Sequence, residues 1–240
     1  MEQRIQKIIS SAGICSRRNA ESLVIQGRVK INGRKALIGE KADPILDNIT
    51  LDGNSLSPPN EIIVILLNKP IGFITSCHDP FGRKTVLDLI PSKLKEGLHP
   101  IGRLDKNSRG ALLLTSNGEL TLKLTHPRYL HTKTYKVWVK GNPSIISIQK
   151  WSEGIFLDGK KTLPAKVDLL EVLPNKSLLK IILREGRKRQ IRRVAYTLGH
   201  PVIDLQRTAI DEIELNGLEE GKWRKLKNDE WNKILSKQVN

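Results

Sequence analysis

His99-Pro-Ile-Gly-Arg-Leu-Asp-Lys-Asn-Ser-Arg-Gly-Ala-Leu-Leu-Leu-Thr115 changes character in its middle, where a polar loop punctuated by glycine gives way to an apolar run that reads as a buried strand. The loop holds one carboxylate, Asp105, among Arg103, Lys106 and Arg109, and those cations favour its ionised form. Taken alone, an aspartate so placed is a structural ion pair or a loop cap. Its meaning depends on what the rest of the chain sets around it. Further apolar runs at 62–67, 133–139 and 178–183 alternate with helix-like stretches at 119–124, 144–151 and 190–198. Their intervals are too irregular for serial βαβ units, so the expectation is an α+β domain on a mixed, mainly antiparallel sheet.

Charge says what such a domain meets. The 240 residues carry 41 Lys and Arg against 25 Asp and Glu, a net +16, and a surface of that sign attracts a polyanion, most simply nucleic acid. Aromatic residues make up 4%, too few for single-strand binding over a broad stacking platform. The excess is local: residues 184–193 hold six basic side chains and one acidic, whereas 211–240 hold six basic and seven acidic. A basic run between a strand and a helix makes a poor localisation tag and a good phosphate-binding wall. Cys15 and Cys77 form no CxxC, the histidines lack metal-ligand spacing, and no phosphate-cradling glycine motif occurs, so no metal or nucleotide cofactor is expected. With no signal-peptide pattern and no apolar run long enough for a bilayer, the expectation is a cytoplasmic protein with reduced thiols and no membrane partner.

Residues 1–57 read as a separate unit. Ile5, Ile8 and Ile9 recur at helical spacing, Ser16 is placed to cap a second helix that Gly27 ends, and Asn32-Gly33 sits between alternating runs as a hairpin turn. The unit carries nine basic residues, six of them Arg17, Arg18, Arg28, Lys30, Arg34 and Lys35, against six acidic ones that fall mostly from Glu40 onward. Arg4 and Lys7, Ala12-Gly13, Ser16-Arg17-Arg18, Ala20-Glu21, Gly27-Arg28-Val29 and Asn32-Gly33 resemble the RNA-binding domain named after ribosomal small-subunit protein S-four. The resemblance implies RNA as the partner and Arg4, Lys7, Ser16, Arg17, Arg18, Arg28 and Arg34 as contacts. The Pro-Pro segment at 58–61 reads as a linker to a second domain at 62–240.

In that domain Asn68-Lys-Pro-Ile-Gly72, Gly102-Arg-Leu-Asp105, Leu112-Leu-Leu-Thr-Ser-Asn-Gly118, His126-Pro-Arg128, Lys133-Thr-Tyr135 and Glu185-Gly-Arg-Lys-Arg-Gln-Ile-Arg-Arg193 follow in order. They resemble the ribosomal RNA pseudouridine synthases of the small-subunit synthase A and large-subunit synthase B type, which also begin with the S-four type domain. Lys188 stands where that pattern usually has asparagine. The resemblance implies isomerisation of a uridine in rRNA, with Asp105 acting on the ribose, Arg192 paired to it and Tyr135 against the extruded base. It needs no cofactor. Arg103, Lys106, Arg109, Arg187, Lys188, Arg189, Gln190 and Arg193 are the implied RNA contacts; Lys69 is grouped with them, or else supports the site or caps a turn, and Leu205 is an apolar wall of the pocket. The target leans to the large-subunit RNA, free or in an assembling particle, and the protein is taken as a monomer. Two rival readings remain: a binding-only assembly factor, which would have lost Asp105 or Tyr135, and a DNA-binding regulator, which would need a recognition helix.

Overall fold

A computed structural model describes residues 1–56 and 62–236, so the linker read at 58–61 lies outside the described residues. The small unit carries α1 (Ile5–Ser11) and α2 (Arg17–Ile25), and the Ser16 hydroxyl caps the second by accepting from the Asn19 amide at 3.2 Å. Strands β1 (Val29–Ile31) and β2 (Arg34–Lys35) meet at Asn32-Gly33, both left-handed with φ of 51° and 84°, as a two-residue primed turn requires. β3 (Ile49–Leu51) and β4 (Asn54–Ser55) complete a sheet of order β2-β1-β3-β4. Ile5, Ile9, Ala20, Val29 and Ile31 fill its core.

The larger unit is built on one nine-stranded sheet. Its strands are β5 (Val64–Lys69), β6 (His99–Ile101), β7 (Arg109–Thr115), β8 (Lys133–Lys140), β9 (Lys166–Leu173), β10 (Lys176–Leu183), β11 (Val202–Ile210), β12 (Ile213–Glu214) and β13 (Trp223–Lys225). They run in the order β9-β10-β8-β11-β7-β5-β13, with β12 beside β11 and β6 beside β7. Among the described residues of this sheet only β11 and β7 pair in parallel, which bears out the mainly antiparallel expectation. Helices α3 (Gly118–Thr125), α4 (Ile145–Glu153), α5 (Gln190–Thr197) and α6 (Asn228–Ser236) cover the two faces. Ile65, Leu67, Leu112 and Leu114 pack with Trp151 of α4 and Ile191 and Val194 of α5; Leu66 and Leu113, on the other face, pack with Leu120 of α3 and Trp231 of α6. Burial on both faces explains why β5 and β7 read as continuous apolar runs rather than alternating ones.

One row across the middle of this sheet sets the geometry of everything that follows. Lys69 pairs with Gly110, Gly110 with Arg207, Arg207 with Tyr135, and Tyr135 with Ile181, one residue from each of five adjacent strands. Gly110 is obligatory there: at φ +112° its Cβ would lie 2.1 Å from the Arg207 carbonyl oxygen. The missing side chain lets β7 and β11 approach at the point where the Asp105 loop enters its strand.

Candidate active site

Asp105 lies on the turn between β6 and β7, its side chain 42% exposed, so a ligand can reach the carboxylate. The backbone under it is held on every side. Lys69 is fully buried at the end of β5, and its ammonium donates to the carbonyls of Pro70 at 3.0 Å, Asp105 at 3.1 Å and Ser108 at 2.8 Å. Burial pushes the Lys69 pKa down to about 8; the negative charges of Asp105 and Glu220 oppose the fall and Arg207 adds to it. Thr75 donates to the Leu104 carbonyl at 2.8 Å and accepts from the Leu104 amide at 3.2 Å, while the Gly72 amide donates to the Lys106 carbonyl at 2.9 Å. Arg192 closes the turn by donating to the Asn107 carbonyl at 2.6 Å and the Ser108 hydroxyl at 3.3 Å. A carboxylate on a turn fixed at Leu104, Asp105, Lys106, Asn107 and Ser108 is preorganised for attack or for taking a proton.

The cation facing Asp105 differs from the one expected. Arg189, not Arg192, stands 3.6 Å from the Asp105 carboxylate. Arg189 is the N-cap of α5 and takes a left-handed conformation, φ 52°, which turns its side chain toward the loop; Arg192, one turn on, is half-buried and occupied by the loop backbone. Burial, and then the neighbouring Arg189 charge, pull the Arg192 pKa below the usual arginine value, and its Nε is buried with no partner.

Tyr135 is 8% exposed on β8 and shares a buried cluster with Leu104, the residue before Asp105, and with Leu205 and Ile191. The structure thus brings Tyr135 and Leu205 to the face that carries the Asp105 loop. Sequence reasoning missed Arg207. It is buried between Tyr135 and Gly110 in the row, its Nε donates to the Ala111 carbonyl at 2.6 Å, and its Nη2 has no partner. The available signal was a charged residue on the inward phase of an otherwise alternating strand.

Several expected RNA contacts are spent inside the protein. Lys69 is buried under the loop rather than facing solvent, because its ammonium is taken up by three carbonyls there. Arg109 pairs with Asp204 at 3.1 and 2.8 Å and lies 3.6 Å from Glu220. Arg187 donates to the carbonyls of Lys160 and Lys161 and pairs with Glu185 at 3.1 Å, and buried Gln190 donates to Glu185 at 2.9 Å. Arg193 grips Asp158 at 2.8 and 2.6 Å. In the small unit Arg28 and Arg34 pair with Asp52 and Glu40, acids from the later half folding back onto the hairpin, while Ser16 is engaged as a helix cap. Arg4, Arg17, Arg18, Arg103, Lys106, Lys188 and Arg189 are exposed, and Lys7 is half-buried.

An open groove runs between α5 and the short hairpin of Phe156–Leu157 and Lys160–Lys161; its lining includes Phe156, Asp158, Arg192, Arg193, Tyr196 and Arg189, the cation that faces Asp105. Among the described residues no three His, Cys, Asp or Glu side chains are placed to hold a metal ion, and no helix is long and apolar enough to cross a membrane.

Residues 63–196 match the family profile of RNA pseudouridylate synthases, and residues 3–44 match the S4 domain. The chain is 40% identical over 227 residues to the ribosomal large subunit pseudouridine synthase B of Bacillus subtilis, covering 93% of this chain and 92% of that one. It is 39% identical over 232 residues to an uncharacterized RNA pseudouridine synthase of Aquifex aeolicus, covering 96% and 92%. Among solved structures, a crystal structure of a pseudouridylate synthase superposes with a TM-score of 0.70 at 30% identity, covering 96% of this chain and 99% of the other.

Proposed function

The chain belongs to the RNA pseudouridine synthase family, and from that premise we propose that it isomerises one uridine of ribosomal RNA, in the large subunit, with Asp105 as its catalytic residue. The observation that carries this is an accessible carboxylate on a turn whose backbone is locked by Lys69, Thr75 and Arg192 and whose charge faces Arg189. The reaction breaks the bond from uracil N1 to C1′, turns the base within the site and joins C1′ to C5; the C5 proton is lost and N1 gains one, so nothing is oxidised or hydrolysed. Asp105 serves it either by attacking C1′ or by removing the 2′ proton to give a glycal. Arg189 stands 3.6 Å from the carboxylate and faces the charge it carries into the reaction, Arg192 positions the loop, and Tyr135 with Leu205 walls the pocket for the loose base. A uridine inside folded RNA must leave its stack, at a cost of a few kcal/mol that contacts from Arg103, Lys106 and Lys188 to the backbone offset.

Residues 1–57 act as a separate RNA clamp through Arg4, Lys7, Arg17 and Arg18, ahead of a catalytic domain at 62–240. The enzyme works in the cytoplasm as a monomer, on free RNA or an assembling particle. The test is turnover of a transcribed large-subunit rRNA by the purified protein and by Asp105→Asn. The amide keeps the shape but neither attacks nor takes a proton, so turnover falls below detection while RNA affinity stays within a few fold. Turnover by the variant removes Asp105 from its role, and tight binding without turnover by the wild type leaves a binding-only factor.

A further inference from the structure

We propose that the groove between α5 and the 156–161 hairpin holds an unpaired nucleotide next to the target uridine, its base stacked on Phe156 and Tyr196 and its phosphate on Arg189. The inference rests on the pseudouridine synthase reading and adds to it a second base-binding position. Aromatic residues are scarce in this chain, yet two of its exposed rings, Phe156 at 68% and Tyr196 at 75%, line this one groove. Large rings left in water on two walls of a cationic groove are the composition that stacks a base and tracks a backbone.

The groove is built rather than incidental. Its hairpin is fastened at the tip by the Arg193–Asp158 pair and along its second strand by Arg187, which donates to the carbonyls of Lys160 and Lys161. The Leu163 amide, just beyond, donates to Glu185 at 2.8 Å. Three members of the basic segment that the sequence pattern marks as RNA contacts, Arg187, Gln190 and Arg193, therefore hold or brace this wall at a fixed distance from α5. The wall carries Phe156 outward while Leu157 is buried beneath it. The far end of the groove opens on Arg189, whose guanidinium also stands 3.6 Å from Asp105. One side chain thus borders both the groove and the catalytic carboxylate, which places a nucleotide held in the groove close in sequence to the uridine at Asp105.

The experiment uses the full chain and a transcribed large-subunit rRNA fragment containing the uridine that the wild type modifies. Steady-state kinetics are measured for the wild type, Phe156→Ala/Tyr196→Ala and the conservative pair Phe156→Tyr/Tyr196→Phe, each checked for folding by thermal melting. Stacking of one base on aromatic side chains predicts a KM for RNA about tenfold or more higher in the alanine pair, with kcat within about twofold and recovery in the conservative pair. With a fragment abasic at a position adjoining the target uridine, wild type and alanine pair converge to the same KM. An unchanged KM in the alanine pair, or a penalty that persists undiminished with every abasic fragment, overturns the proposal. Failure of the wild type to form pseudouridine in any rRNA overturns the underlying reading instead, and this proposal with it.

Discussion

Lys69 has one of the less obvious roles among the residues around Asp105: of its readings as an RNA contact, a support of the site or the cap of a turn, the structure shows a brace for three carbonyls. Its charge is retained only because those carbonyls replace water. The folded-state pKa of about 8 lies below the ordinary lysine value of 10.5. Between the two, the unfolded chain holds a proton that the folded chain has released, so unfolding free energy rises with pH across this window. Urea midpoints measured at pH 8 and pH 10 should therefore rise for the wild type relative to Lys69→Met, which lacks the titration; parallel midpoints would mean that burial does not depress the Lys69 pKa. Asp105 and Tyr135 stand out in the sequence because they lie inside specific motifs, and the structure places both on the face that carries the Asp105 loop. The Arg189–Asp105 pairing was not legible there, since it depends on a left-handed N-cap at a non-glycine residue that nothing in Arg-Lys-Arg-Gln-Ile-Arg-Arg announces. Arg207 was illegible for a related reason: its meaning lies in the cross-strand register, which no local pattern reveals.

At the scale of elements, the sheet strands with continuous or alternating apolar runs, β5, β7, β8 and β10, were legible, and β6, β9, β11, β12 and β13 were not. β11 interrupts its alternation with Asp204 and Arg207, whose partners Arg109 and the Ala111 carbonyl are about a hundred residues away in sequence. The parallel β7–β11 pair is where the Asp105 loop is anchored, and Gly110 is its closest point. Gly110→Ala places a Cβ against the Arg207 backbone at a φ disfavoured for L-residues, so it should cost about 2 kcal/mol or more and reduce turnover by moving the loop. Urea denaturation and single-turnover rates measure the two effects; wild-type values for both would show that the close approach does not position the loop. Asp204→Ala, which leaves Arg109 with Glu220 as its acidic neighbour and does not touch the backbone approach, should affect turnover less than Gly110→Ala does.

For the molecule as a whole, net charge overstates the surface offered to RNA. The +16 is real, but Arg28, Arg34, Arg83, Arg109, Arg193 and Arg224 are each paired with a carboxylate of the protein. Exposed cations remain on the helices of the small unit and in the loops around Asp105, and others are scattered over the rest of the described surface, among them Lys84, Lys136, Lys150 and Lys176. Removing residues 1–57 should therefore weaken rRNA binding and lower the slope of log affinity against log salt by about 0.7 to 0.9 for each phosphate that the shortened protein no longer neutralises. An unchanged affinity and slope for the natural RNA would show that the small unit does not clamp substrate. The two-part organisation and the α+β class were legible because each part carries its own motifs and its own apolar pattern. Which charges face outward was not, because ion pairing is a property of the folded chain.

The most direct measurement maps pseudouridine across both ribosomal RNAs, by carbodiimide adducts and reverse-transcription stops, in cells with the gene, without it, and with Asp105→Asn in its place. The prediction is a single stop in the large-subunit RNA that disappears with the gene and returns with the wild type but not with the variant. A map that is the same in all three would contradict the assignment of this chain as an rRNA pseudouridine synthase acting through Asp105.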